Sequence, residues 1–142
     1  MSPQTPRPGG DHYRATLKGA VLNGLDLRGA NFALANLKDS KLVDAVLSDA
    51  LLFAANLSGA DLSGARLNGA DLAEADLFGA NLRGIQAENA DFRRANLALA
   101  NLRGARLNGA NLRDANLSGA DLTDAILDDA DLSGAVITDN AE

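Results

Sequence analysis

The side chains that carry most enzyme chemistry are nearly missing from this chain. There is one histidine, His12, near the N-terminus, and there is no cysteine. A lone histidine has no second histidine with which to ligate a metal or relay a proton, and no Ser/His/Asp set can be assembled around it. Without cysteine there is no thiolate nucleophile, no thiolate zinc site and no disulfide. The glycines recur at multiples of five, and no phosphate-loop spacing ending in Lys-Ser or Lys-Thr occurs. What remains is charge in blocks. Arg83, Arg93, Arg94, Arg103, Arg106 and Arg113 fall within residues 81–115, a stretch with six basic and three acidic residues and a net charge of +3. Such a belt suits an acidic partner or phosphate groups. Asp121, Asp124, Asp128, Asp129 and Asp131 lie in residues 116–142, which hold seven acidic and no basic residues. Calcium needs several converging oxygens, and the calcium-binding β-roll signature is absent. The chain is therefore expected to carry no catalytic residue, no metal and no cofactor.

The element that positions these side chains is a repeat. From Ala15 to Asp139 every fifth residue is an apolar centre, from Leu17, Leu22 and Leu27 to Ile137, in 25 consecutive units without insertion. Twenty-one centres are Leu; the others are Phe32, Ala87, Phe92 and Ile137. Two residues before the centre stands Ala in 22 units, the exceptions being Leu25, Ser40 and Ile85. A helix advances 100° per residue, so centres five apart scatter round it and form no stripe. A strand keeps residues two apart on one face. That suits Ala and the Leu after it, but the next Ala lies three further on and flips the parity. Each unit must therefore hold a short strand and a corner, and Gly, Asp and Asn at the corner positions favour turns. A chain that turns every five residues winds into a coil whose turns pair as parallel ladders. All three prolines, Pro3, Pro6 and Pro8, precede the repeat, where no ladder bond is lost to them.

The units read AlaAsnLeu at 55–57, AlaAspLeu at 60–62, and likewise at 70–72, 75–77 and 110–112. This pattern resembles the pentapeptide-repeat family, whose motif is A(D/N)LXX, over 125 of 142 residues. The resemblance implies an all-β fold, a right-handed quadrilateral parallel β-helix with four units per coil and about six coils, roughly 30 Å tall. It also implies a partner. Some family members mimic duplex DNA in shape and charge, bind DNA gyrase and protect it from quinolones. Others are structural, so a plain spacer is a further alternative. Residues 1–14 are expected to be a flexible Pro/Gly-rich tail, residues 15–139 the β-helix and residues 140–142 a short end.

The walls then carry the function. Twenty-residue coils place Ala33, Leu34, Leu51, Phe53 and Ala54 on one face, with Phe78 further up, as an apolar patch for a protein partner. Val136 and Ile137 lie at the last coil, where an open ladder offers an edge to a second copy, so a homodimer by end or face packing is an option. The column Asn36, Asn56, Asp76, Asn96, Asn116 suggests side-chain amides bonded along the axis. Hydrophobic residues are 46% of the chain and aromatics 4%, so the core is built from Leu and Ala. The net charge of −6 argues against direct nucleic-acid binding. No apolar run approaches the roughly 20 residues of a membrane span, and no secretory signal precedes the repeat, so a cytoplasmic, non-membrane protein is expected. Taken together, the residues point to a non-catalytic interaction module displaying partner-binding faces, with the gyrase-directed DNA mimic as the alternative.

Overall fold

A computed structural model describes residues 5–138. The chain winds as a four-sided tower. Twenty-two parallel bridges, from Asp11 with Asn31 to Asn116 with Val136, each join residues 20 apart. Twenty residues per coil at five per unit gives four walls. The first wall is centred on Phe32, Leu52, Leu72, Phe92 and Leu112, the second on Leu37 and its successors, the third on Leu42 and the fourth on Leu47.

Four backbone bonds per unit build this shape, one of them from the residue second after the centre to the next coil, as Glu74 donates to Arg93 at 2.8 Å. Each centre donates its N–H to the next coil, as Leu72 does to the Asp91 carbonyl at 2.7 Å. The residue before it donates to the coil below, as Asp71 does to Ala50 at 2.9 Å. The last bond closes the corner within the unit, from the Ala75 N–H to the Leu72 carbonyl at 3.1 Å. The residue second after each centre takes positive φ, the requirement of a type II turn at its third position. Gly59, Gly64 and Gly69 meet a second demand. A Cβ at each would collide with the carboxylate of Asp39, Asp44 or Asp49, which leans over it from the coil below.

The interior is a stack of Leu and Phe centres with Ala at the inner corners. Leu52, Leu62, Leu67 and Leu72 are wholly buried. Ala87 and Ile85 are buried together, so the larger Ile occupies room beside the undersized centre. Ser40 replaces a corner Ala and keeps its Oγ buried without a partner. Leu17 at one end and Leu122, Leu127 and Leu132 at the other are only partly covered, because no full coil lies beyond them among the described residues.

The winding begins earlier than Ala15. Asp11 pairs with Asn31, and the Gly9 N–H donates to Arg28 at 2.8 Å. His12 takes a centre position, 5% exposed, with its ring stacked on Phe32 at 5.1 Å between centroids. Gly10 stands where other units have Ala, because a Cβ there would sit 2.5 Å from His12 Nε2. The expected flexible tail of residues 1–14 is thus replaced over residues 9–14 by a first, polar-centred unit. Residues 1–4 and the expected C-terminal end, 140–142, lie outside the described residues.

Candidate functional site

Three residues per unit point outward: the one before the centre and the two after it. Columns of these, one residue per coil, make the four surfaces. Most residues before a centre are Asp or Asn. Their Oδ1 accepts the N–H two residues on, as Asn56 does from Ser58 at 3.0 Å and Asp71 from Ala73 at 3.0 Å. This replaces the expected amide ladder. The side chain satisfies its own corner, as short Asx groups do in turns. Bonds along the axis are confined to contacts such as Asn96 Nδ2 to Asp76 Oδ1 at 3.3 Å.

The first face carries one group of exposed apolar side chains, and the second carries another. Leu34, Leu51 and Phe53 are each about two-fifths exposed (40%, 46% and 40%), with Ala33 and Ala54 beside them. Phe78 does not join this patch. It stands on the second face with Leu99, because its column is Ser58, Phe78, Ala98. Directly above Phe53 the column drops to Ala73, whose methyl is nearly covered. The result is a depression of about 540 Å³ bounded by Phe53, Glu74, Arg93, Arg94 and Arg113.

The coil divides the arginine belt and largely neutralises it. Arg93, Arg94 and Arg113 share the first face, Arg83 and Arg103 the third, and Arg106 the fourth. Five of the six meet a carboxylate. Arg93 holds Asp91 through both oxygens at 2.7 and 3.0 Å. Arg94 approaches Glu74 at 3.8 Å, Arg103 Asp121 at 3.3 Å, Arg106 Glu88 at 3.5 Å and Arg113 Asp131 at 3.8 Å. No uniformly basic surface exists among the described residues. Partial burial of Asp91 opposes its charge, but the Arg93 side-chain bond, the Arg93 N–H and the Arg93 charge together hold its carboxyl below the usual range. The carboxyl of Asp121 is lowered by the Thr123 hydroxyl and N–H, and further by Arg103.

The acidic end is likewise dispersed. Asp121 and Asp124 lie on the third face, Asp128 and Asp129 on the fourth and Asp131 on the first. Among the described residues no three His, Asp or Glu side chains converge as metal ligands would. Val136 and Ile137 are exposed on the second face at the last described coil, at 49% and 52%. No helix among the described residues is long and apolar enough to cross a membrane.

A four-walled coil stitched by parallel bridges every 20 residues is the right-handed quadrilateral β-helix. The chain matches the family model described as pentapeptide repeats, in eight copies, over stretches that together run from residue 13 to residue 139. It belongs to the pentapeptide-repeat family. Among solved structures it is similar to Rfr23, a pentapeptide-repeat protein from the cyanobacterium Cyanothece 51142, at 36% identity over 68% of this chain and 63% of that one, with a TM-score of 0.44. It therefore spans less than two thirds of the length of Rfr23. It is also similar to alr5209, a pentapeptide-repeat protein from Nostoc PCC 7120, at 33% identity over 79% of this chain and 84% of that one, with a TM-score of 0.57. A trypsin-treated form of QnrB1, a plasmid-mediated fluoroquinolone resistance protein, shares the fold at 23% identity over 92% of this chain and 71% of that one, with a TM-score of 0.59. A search of curated proteins gives no match.

Proposed function

We propose that this chain is a non-catalytic interaction module that presents its first face to a protein partner. One observation supports the reading: the exposed Phe53 lines the Ala73 depression, with the exposed Leu34 and Leu51 on the same wall. Apolar side chains grouped around a concavity favour burial against another surface, whereas scattered ones do not. Affinity capture from the source cells, with the native chain and with the Leu51→Asp/Phe53→Asp double variant, tests it. Loss of every captured protein with the double variant, at unchanged melting temperature, supports the reading. An unchanged capture profile retires the first face. A change in solution mass instead would identify a second copy as the partner.

The gyrase-directed alternative rests on the shared fold with QnrB1. Duplex DNA carries one charge per about 1.7 Å, so a tower of roughly 30 Å would need about 18. No outward column here has acidic residues on three successive coils, and the net charge is −6. A gyrase supercoiling assay with and without a fluoroquinolone is expected to show neither inhibition nor protection at micromolar protein.

A further inference from the structure

The second face carries a wide stretch with almost no charge. Four of its coils, centred on Leu57, Leu77, Leu97 and Leu117, present twelve outward positions, of which Asp76 alone is charged. The matching coils of the first face hold seven charges in twelve positions. Two large apolar side chains stand on this neutral ground, Phe78 at 46% exposure and Leu99 at 51%. Leu99 also has φ 59°, at a corner where this face otherwise has Gly or Asp among the described residues. Leucine disfavours that conformation, and strain of this kind collects at functional surfaces.

About the level midway between the Leu77 and Leu97 coils, each large residue is mirrored by a small one. In the column after the centre Phe78 mirrors Ala98, and in the corner column Leu99 mirrors Gly79. One coil further out the residues are small and alike: Ser58 mirrors Ser118, and Gly59 mirrors Gly119. In the column before the centre Asn56 mirrors Asn116 and Asp76 mirrors Asn96. The small members leave room. The Ala98 methyl is recessed at 9% exposure, and a Cβ added at Gly79 would meet nothing within 4 Å.

A surface that mirrors itself in this way fits a second copy of itself. A two-fold axis that lies in the contact plane and crosses the tower at this level sets two copies side by side and antiparallel. Such an axis keeps every column opposite the same column and inverts its height. Phe78 then sits over the partner's Ala98 and Leu99 over the partner's Gly79, and the same contacts recur with the roles exchanged. Asp76 meets the partner's Asn96, an amide that can donate to it, so no like charges face each other across these four coils. A different protein on this wall would require no such mirror order. The matched area is about 10 Å wide and roughly 19 Å high, from three residues and four coils. That is small beside the usual 800 Å² or so per partner, so the contact is a weak one.

We propose that the second face pairs with the second face of another copy of this chain, antiparallel, with Phe78 seated over Ala98 and Leu99 over Gly79. The contact does not involve the first face and leaves it open to a different partner. Sedimentation velocity of the full chain is expected to show a reversible monomer–dimer equilibrium with a Kd on the order of 100 μM. Phe78→Ala empties the seat and Ala98→Phe sets ring against ring. Each should weaken the dimer at least about tenfold. The double variant Phe78→Ala/Ala98→Phe exchanges ring and seat, and should restore the dimer to within about threefold of the native chain. Both side chains face outward, so melting temperatures should not change. A chain that stays monomeric up to about 1 mM, a dimer indifferent to Phe78→Ala, or a double variant no better than Ala98→Phe would overturn the proposal. Leu51→Asp/Phe53→Asp should dimerise as the native chain does. A dimer lost with that variant would assign the contact to the first face and equally overturn it. If the second-face dimer fails while cellular capture still depends on Leu51 and Phe53, the first-face reading stands alone.

Discussion

The first and fourth faces share one backbone and carry different corners. On the fourth face the residues of positive φ run Gly9, Gly29, Asp49, Gly69, Asn89, Gly109, Asp129. On the first they run Arg14, Leu34, Ala54, Glu74, Arg94, Asp114, Gly134. Since the fold is satisfied by the first list, it cannot be what demands the second. The fourth face shows the residues the turn favours, and the first departs from them to place Leu, Glu and Arg in solvent. The contrast separates what the coil requires from what the surface has been given.

The core should be blind to that contrast. Leu72 lies behind the first face and Leu67 behind the fourth, both wholly buried. Leu72→Ala and Leu67→Ala are each expected to destabilise by about 2–5 kcal/mol, through lost burial and the cavity left behind. Chemical denaturation should find the two costs within about 1 kcal/mol of each other. A much larger difference would mean that the faces differ in their packing, and the comparison of corners would lose its control.

The corners themselves should respond in opposite ways. Gly69→Ala on the fourth face puts a Cβ at φ +69° and against the Asp49 carboxylate, for an expected loss of about 2 kcal/mol. Ala54→Gly on the first face removes a Cβ from φ +54°, and the strain relieved is offset by the greater freedom of glycine in the unfolded chain. Its expected effect is under about 1 kcal/mol, of either sign. If Ala54→Gly proved as costly as Gly69→Ala, Ala54 would be a packing residue and the strained corner would say nothing about function.

Much of this is legible in the sequence. The fivefold period, the Leu centres and the absence of insertions specify a coil with a packed interior. Its four-sidedness came through the A(D/N)LXX resemblance, since a period of five is compatible with other polygons. Three features were hidden for physical reasons. His12 obscured the first unit because a polar centre breaks the apolar signal, although Gly10 and Asp11 keep the phase of the Ala-Asp pair. The arginine belt is basic only along the chain. The coil brings Glu74 to Arg94 and Asp131 to Arg113 across 18 to 20 residues, and so cancels it. The strained corner became visible only once every residue at that position was seen to share positive φ, which makes Leu34 and Arg94 departures instead of ordinary surface residues.

The lower end of the first face offers a smaller test. His12 is enclosed, with Nε2 unpartnered, and its pKa is lowered from 6.5, first by burial and then by the Arg7 charge, against the opposing pull of Asp11. The unfolded chain therefore binds the proton more readily than the folded one. Stability is complete above pH 6.5 and declines as pH falls from there toward the lowered folded value. His12→Leu gives this unit the centre found elsewhere. It should add about 1 kcal/mol at neutral pH and flatten the profile below pH 6.5. The fourth-face centres from Leu27 to Leu127 carry no ionisable group, so a slope that survived His12→Leu would have to arise elsewhere in the tower.

The smallest expected effect concerns the pair that borders the Ala73 depression. Arg93 and Asp91 are partly solvated, and such pairs contribute at most about 1 kcal/mol. Because the folded state holds the Asp91 carboxyl below its usual value near 3.9, the contribution is present at neutral pH and is lost as pH falls below about 4. Arg93→Ala should remove that share of the acid sensitivity, read from urea midpoints at pH 7 and pH 3, and change stability at neutral pH by less than about 1 kcal/mol. Asp91→Ala also removes the acceptor of the Arg93 N–H at 3.0 Å, so it should cost about 1 kcal/mol more, and it leaves Arg93 untethered, free to fold over the Ala73 gap from the coil above. Both variants should stay folded while partner capture separates them, Arg93→Ala retaining the partner and Asp91→Ala losing part of it. Equal capture by both would show that the tether does not govern access to the depression.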